Sequence, residues 1–309
     1  MLIKSLRFFI RIVAVLCITA STSAAALLVY EGFDYPVEDQ LTGKTGGIGF
    51  GEDSNTNPWF VTPNDSDTTI SSGSLSYPDL VTTGNVANFK NKRGAGSNAT
   101  LDRREFSDTF DSGTIWASFL LNVTSFGNRD IRSGFRSDDQ NTTVVSDGED
   151  GKWTLRGNGT DTSTVTAELN ETYFFVFKFN LTDGELQWWI NPDVGGTSPV
   201  NADYDSGVIP GITNLTGMNY FSRTPTVEMG IDEIRLGDSF GDVAPINPEP
   251  STVLVLIVGL AALCFCYPAG KPDRCFSPAP PRDGLRPNAG FAKDAGLQML
   301  IRKTHLDLR

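Results

Sequence analysis

Two stretches in the middle of the chain alternate apolar and polar positions with a period of two. In Gly113 to Val123, residues Ile115, Ala117, Phe119, Leu121 and Val123 fall on one parity, while Trp116, Ser118, Leu120 and Asn122 fall on the other. This predicts a strand whose odd-numbered face is core. Thr172 to Leu181 repeats the pattern, with Tyr173, Phe175, Phe177, Phe179 and Leu181 on one face. Phe174 and Val176 make its other face apolar at the start, as in a central strand buried on both sides. Asp183-Gly184 then leads into Glu185 to Asn191, a strong hairpin signal. There Leu186, Trp188 and Ile190 point one way, and Glu185, Gln187, Trp189 and Asn191 the other, so the adjacent tryptophans belong to opposite faces.

Shorter candidates are Leu27 to Phe33, Thr69 to Ser76, Val86 to Phe89, Ile131 to Arg136, Gly151 to Arg156, Ser163 to Glu168, Leu215 to Phe221 and Thr226 to Gly237. In the last, Met229 and Ile231 have one parity and Ile234 and Leu236 the other, which a bulge near Asp232-Glu233 or burial on both faces reconciles. Turn residues recur every 8 to 12 positions and no helical period stands out. Many short antiparallel strands are satisfied by sheet packed on sheet, so the expected fold class is all-β, a jelly-roll β-sandwich.

The ends of the chain read differently. Residues 1–26 combine Lys4, Arg7 and Arg11, an apolar stretch Ile12 to Ile18 and the small residues Ser21 to Ala26, the plan of a signal peptide cut near Leu27. Near the other end, Pro248, Glu249, Pro250, Ser251 and Thr252 precede the apolar run 253–267, a single transmembrane helix by its composition. Lys271 and Arg274 follow, which places the C-terminal side in the cytoplasm. The expected organisation is therefore a signal peptide (1–26), the β-sandwich (27–244), a linker with the Pro-Glu-Pro motif (245–252), the transmembrane helix (253–267) and a tail without ordered structure (268–309).

That Pro-Glu-Pro turn butted against an apolar run resembles the PEP-CTERM signal of Gram-negative exported proteins. The resemblance implies an exosortase partner, passage through the inner membrane, and a final place at the cell surface or in the extracellular matrix. In that family an Arg cluster closes the tag within a few residues, whereas here 42 residues follow Tyr267. A second resemblance lies in 28-LVYEGFDY-35, Tyr173 to Val176 with Trp188 to Asp193, and 230-GIDEIRLG-237. These are similar to laminin-G/concanavalin A-like domains, which implies that jelly roll but no particular activity.

Charge and composition then limit the chemistry. Between Leu27 and Pro250 there are 33 acidic residues against 14 basic ones, a net −19, which argues against nucleic acid as a partner. Cysteines occur only at 17, 264, 266 and 275, and the single histidine is His305. The span 27–250 thus holds no residue for thiol catalysis, a His-based triad or a Cys/His metal site. Paired-carboxylate glycoside hydrolysis would remain. Yet the Glu-x-Asp-x-x-Glu pattern of laminarinase-like relatives is absent, and Glu228, Asp232 and Glu233 have the wrong spacing.

The expectation is a non-enzymatic protein with a structural or exopolysaccharide-associated role. A lectin-like carbohydrate-binding module is the alternative and a glycoside hydrolase the less favoured one. For sugar binding, Trp189 with Glu185, Gln187 and Asn191 offers an aromatic platform beside polar groups, and Trp59 is the next candidate. Both tryptophans have an ordinary alternative, packing in the interior. No cofactor is expected. The resemblance to concanavalin A-like domains implies calcium as the candidate ion, at Asp65 with Asp67, Asp147 with Glu149 and Asp150, or Asp203 with Asp205, each more simply a solvated turn.

Overall fold

The computed structural model describes residues 27–50, 57–61, 67–91, 100–127, 131–137, 141–146, 151–156, 160–195, 198–208, 212–222 and 226–246. The signal segment, the Pro-Glu-Pro motif, the apolar run and the tail lie outside them. Among the described residues no helix is long and apolar enough to cross a membrane.

Fifteen strands are formed: β1 (Leu27–Glu31), β2 (Phe60–Val61), β3 (Thr69–Ser71), β4 (Val86–Lys90), β5 (Thr100–Phe110), β6 (Thr114–Phe126), β7 (Ile131–Arg136), β8 (Asn141–Ser146), β9 (Lys152–Arg156), β10 (Thr160–Thr166), β11 (Thr172–Asn180), β12 (Glu185–Ile190), β13 (Tyr204–Val208), β14 (Leu215–Ser222) and β15 (Val227–Gly237). Among the described residues one short helix, α1 (Phe240–Val243), follows. Sheet one runs β13-β12-β11-β6-β15-β4-β3, with β1 also paired to β15, and sheet two runs β10-β9-β8-β7-β14-β5-β2. The chain crosses repeatedly between two antiparallel sheets, so the expected all-β sandwich of jelly-roll type is the fold observed.

The alternation read from the sequence sets the layers. Ile115, Ala117, Phe119, Leu121 and Val123 of β6 and Tyr173, Phe175, Phe177 and Phe179 of β11 all enter the core between the sheets. Rings from both sheets meet there: Phe177 of sheet one stands edge-on to Phe135 of sheet two at 5.6 Å, and Phe175 to Trp153 at 5.1 Å. The hairpin forms across 181–184, with Asn180 opposite Glu185 and Gly184 at φ 73°, a backbone region that costs glycine little. β15 carries the expected bulge: its register against β6 shifts between Asp232 and Arg235, and Glu233 sits at φ 53°.

Sheet one has a second buried layer on its outer face. Trp116, Leu120, Phe174, Val176 and Trp189 pack there against Leu80, Phe240, Val243 and Ala244. The Asp242 carboxylate accepts from the Ser239 N–H at 2.8 Å and the Ser239 hydroxyl at 2.7 Å, closing the start of α1. Ser118 Oγ donates to the Val243 carbonyl at 2.9 Å, and Val81 N–H to the Pro245 carbonyl at 3.0 Å. The segment leading out of the last strand is thereby fastened over this face.

Candidate functional site

The predicted sugar platform on β12 is a buried contact. Trp189 is 4% exposed and stacks on Trp116 with ring centroids 5.4 Å apart, while Phe240 meets Trp116 edge-on at 5.6 Å. This corrects the expectation: α1 gives the outer face of sheet one an apolar partner, so Trp189 has no ring face to offer a sugar. Asn191, at φ 56°, accepts from Phe174 N–H through Oδ1 at 2.8 Å and closes the strand end. Glu185, Gln187 and Asn191 stay near the surface, Gln187 donating to Asp205 at 2.8 Å. Trp59 is likewise interior, 1% exposed between Phe33 and Tyr220.

Trp59 belongs to a buried polar knot. Glu31 Oε2 accepts from Trp59 Nε1 at 3.0 Å, from the Tyr35 hydroxyl at 2.7 Å and from Arg104, and Oε1 accepts from Phe33 N–H at 3.0 Å. Arg104 Nε donates to the Asn57 carbonyl at 2.9 Å, and its guanidinium lies 3.9 Å from the centre of the Phe50 ring. Burial and then the Glu31 charge hold the Tyr35 hydroxyl above its usual pKa. Of this knot only Arg104 Nη2 is left buried without a hydrogen-bond partner among the described residues, and the bonds that are made join β1, the segment before β2, and β5.

The acidic pair at the bulge is also spent on the fold. Asp232 Oδ2 accepts from Leu75 N–H at 2.8 Å and Ser74 Oγ at 2.5 Å, while Glu233 pairs with Arg235 and accepts from Thr83 N–H. These bonds hold the segment from Ser74 to Thr83 against sheet one. Glu228, the third member of the sequence triplet, pairs with Lys90 at the surface instead. Among the described residues, no group of three acidic, His or Cys side chains could hold a metal ion. Asp203 accepts from Ile190 N–H at 2.7 Å and Asp205 from Gln187. Asp65, Asp147, Glu149 and Asp150 lie outside the described residues.

Burial, despite the Ser74 hydrogen bond and with help from the Glu233 charge, pushes the Asp232 carboxyl from 3.8 up to about 8. Ser74 Oγ also lies 3.1 Å from the Leu75 carbonyl, so it can receive the Asp232 proton and pass its own on. A carboxyl with a raised folded pKa favours folding at low pH: between about 4 and about 8 the unfolded chain has lost the proton that the fold keeps. Thermal scans should therefore show Tm falling across that window, and Asp232→Asn should flatten the fall. A slope unchanged by the substitution would rule Asp232 out as its source.

The outer face of sheet two is of another kind. Along β5, Asp102, Arg104 and Phe106 point into the sandwich, so Arg103 and Glu105 point away from it. Register continues the rows: Phe60, Arg103, Asn219 and Gly134 lie side by side, as do Glu105, Gly217 and Arg136, and Leu101, Phe221 and Arg132. Arg103 lies 5.2 Å from the Phe60 ring centre and Arg132 5.0 Å from that of Phe221. Arg136 pairs with Glu105 across β14, over Gly217. A Cβ at Gly217 would stand 2.5 Å from the Arg104 carbonyl oxygen and 2.9 Å from Glu105 Oε2, so only glycine keeps the strands and this pair together.

Three arginines thus stand against one carboxylate in these rows, on a domain that is otherwise strongly acidic. Phe60 is 46% exposed, and among the described residues Arg103 has no carboxylate partner. Asn219, 5% exposed between Arg103 and Gly134, leaves Oδ1 without a hydrogen-bond partner. A buried acceptor in that condition costs about 1–3 kcal/mol. Sequence reasoning missed this site, because its strand β5 turns charged residues inward.

Fold and site together define an all-β sandwich with one outer face sealed by its own C-terminal segment and the other lined by arginine and phenylalanine. No family model matches the chain, and no curated protein does. Among solved structures it is similar to a sialidase at 12% identity and a TM-score of 0.44, over 70% of this chain and 19% of that one. The T. cruzi calreticulin globular domain matches at 10% identity and a TM-score of 0.41, over 77% and 95%. The lectin UEA-II complexed with galactose matches at 10% and 0.37, over 69% and 99%. The chain spans about a fifth of the sialidase, and at such scores these likenesses carry no argument about ligand or activity.

Proposed function

We propose that the chain is an exported, non-enzymatic β-sandwich that holds a polysaccharide of the cell envelope or extracellular matrix on the outer face of sheet two. Delivery follows from the terminal segments: a signal peptide over 1–26, then exosortase acting at Pro248 to Thr252 during passage through the inner membrane. The observation that carries the binding role is the grouping of Arg103, Phe60 and the unpartnered Asn219 Oδ1 in one row. Ring CH groups of a sugar pack on an aromatic side chain while hydroxyl groups meet polar side chains, and this row offers both. Against an enzymatic role stand the absence of His and Cys from 27–250 and the saturation of Asp232 and Glu233 by the Ser74–Thr83 segment.

Cells expressing the full chain should release it to the envelope or extracellular fraction, and that fraction should retain the protein on insoluble polysaccharide. A chain that stays cytoplasmic, or passes every polysaccharide unretained, would overturn the proposal.

A further inference from the structure

We infer that the sugar taken by this face carries a carboxylate, so that the ligand is an acidic, uronate-containing polysaccharide; the inference rests on the binding role proposed above. All three cations in the rows are arginines, whose planar fork matches a carboxylate with two parallel hydrogen bonds where lysine offers a point charge. The face already contains one such pair, Arg136 with Glu105. Arg103, one strand row away, has the same chemistry and no carboxylate of the described chain to satisfy it.

Its neighbours complete a site for one sugar unit. Asn219 lies directly opposite Arg103 on β14, and its Oδ1 is a buried acceptor without a partner, which a sugar hydroxyl reaches once the side chains over it shift. Gly134 on the far side of Asn219 has no side chain to cover it. Phe60 lies opposite Arg103 on β2, with nearly half its surface exposed for the apolar face of the ring. One carboxylate, one hydroxyl and one CH face describe a uronic acid better than a neutral hexose, which would leave Arg103 without a counter-charge.

A nucleic acid also carries negative charge, but with one phosphate per about 1.7 Å of duplex axis it needs many clustered cations. A domain of net −19 with three arginines in these rows repels such a polymer. A single uronate unit needs one arginine for its carboxylate, which Arg103 supplies.

The test uses the exported full chain in affinity electrophoresis against polygalacturonate, its methyl-esterified form, dextran and single-stranded DNA. Polygalacturonate should bind at least about tenfold more tightly than the esterified polymer, the difference expected for one charge-assisted hydrogen-bonded pair. Arg103→Ala should remove that preference, Arg103→Lys should restore only part of it, and Lys90→Ala, on sheet one, should leave it intact. Tm measured alongside identifies a variant that fails to fold; Arg103→Gln is then read in place of Arg103→Ala. Equal retention of acidic, esterified and neutral polymers overturns the inference and leaves the binding role standing, as does a preference for uronate that survives Arg103→Ala. Tighter binding of DNA overturns the inference. No retention on any polysaccharide by the folded protein overturns the binding role, and the inference with it.

Discussion

Replacing Glu31 with alanine is expected to lower the unfolding free energy by about 3–5 kcal/mol, the range for removing one partner of a buried ion pair. The loss has three parts. The Arg104 guanidinium stays buried against the Phe50 ring without its counter-charge. The Tyr35 hydroxyl and Trp59 Nε1–H lose their shared acceptor. Phe33, held at φ 52° with its N–H on Glu31 Oε1, loses the bond that supports a left-handed backbone. Urea denaturation would measure the change. The double variant Glu31→Leu with Arg104→Met should recover part of the loss, because replacing both charges removes the uncompensated one. A single-variant loss below about 1 kcal/mol would show that the knot is not closed to water as described.

Phe177→Ala should cost a comparable amount, about 3–5 kcal/mol. Phe177 is fully buried on β11, stacks on Phe119 at 5.7 Å and Trp188 at 6.3 Å, and meets Phe135 of the opposite sheet edge-on. These neighbours are aromatic rings anchored on three other strands, β6, β12 and β7, so they cannot collapse into the space it leaves. The cavity therefore persists, and the cost sits near the top of the range for the chemistry. Phe221→Ala, on the half-exposed outer face of sheet two, is the comparison. It should lose far less, and similar losses from the two would contradict the layering.

The layers were legible where each strand turns apolar residues inward. β6, β11, β12 and the bulged β15 were all readable from parity, and so was the division of Trp188 from Trp189. β5 was not, because its inward positions include Asp102 and Arg104, which inverts the alternation that a strand on a core ordinarily displays. With β5 unseen, Arg103 had no face, and Phe60 on the two-residue β2 had no neighbour. The misplaced platform at Trp189 has a different cause. Parity alone put that ring outside, but whether an outer face meets water or a returning segment depends on Phe240 and Val243, some fifty positions later in the chain. The sequence carried little signal for the arginine site: Arg132 and Arg136 each follow an apolar residue, but Arg103 lies between Asp102 and Arg104.

The place of β15 sets the order in which this molecule can acquire structure. β1, β4 and β6 all lie against it, and Leu27 meets Gly237 across 210 positions of sequence. A chain emerging N-terminus first, from a ribosome or through a translocation pore, has no centre for sheet one until the final strand appears. Such long-range pairing makes assembly slow and all-or-none, and leaves the edges of β4 and β6 bare in the interval. Sheet one can therefore close only when Gly237 is free to meet Leu27, and the last strand to be made is the one that completes the fold.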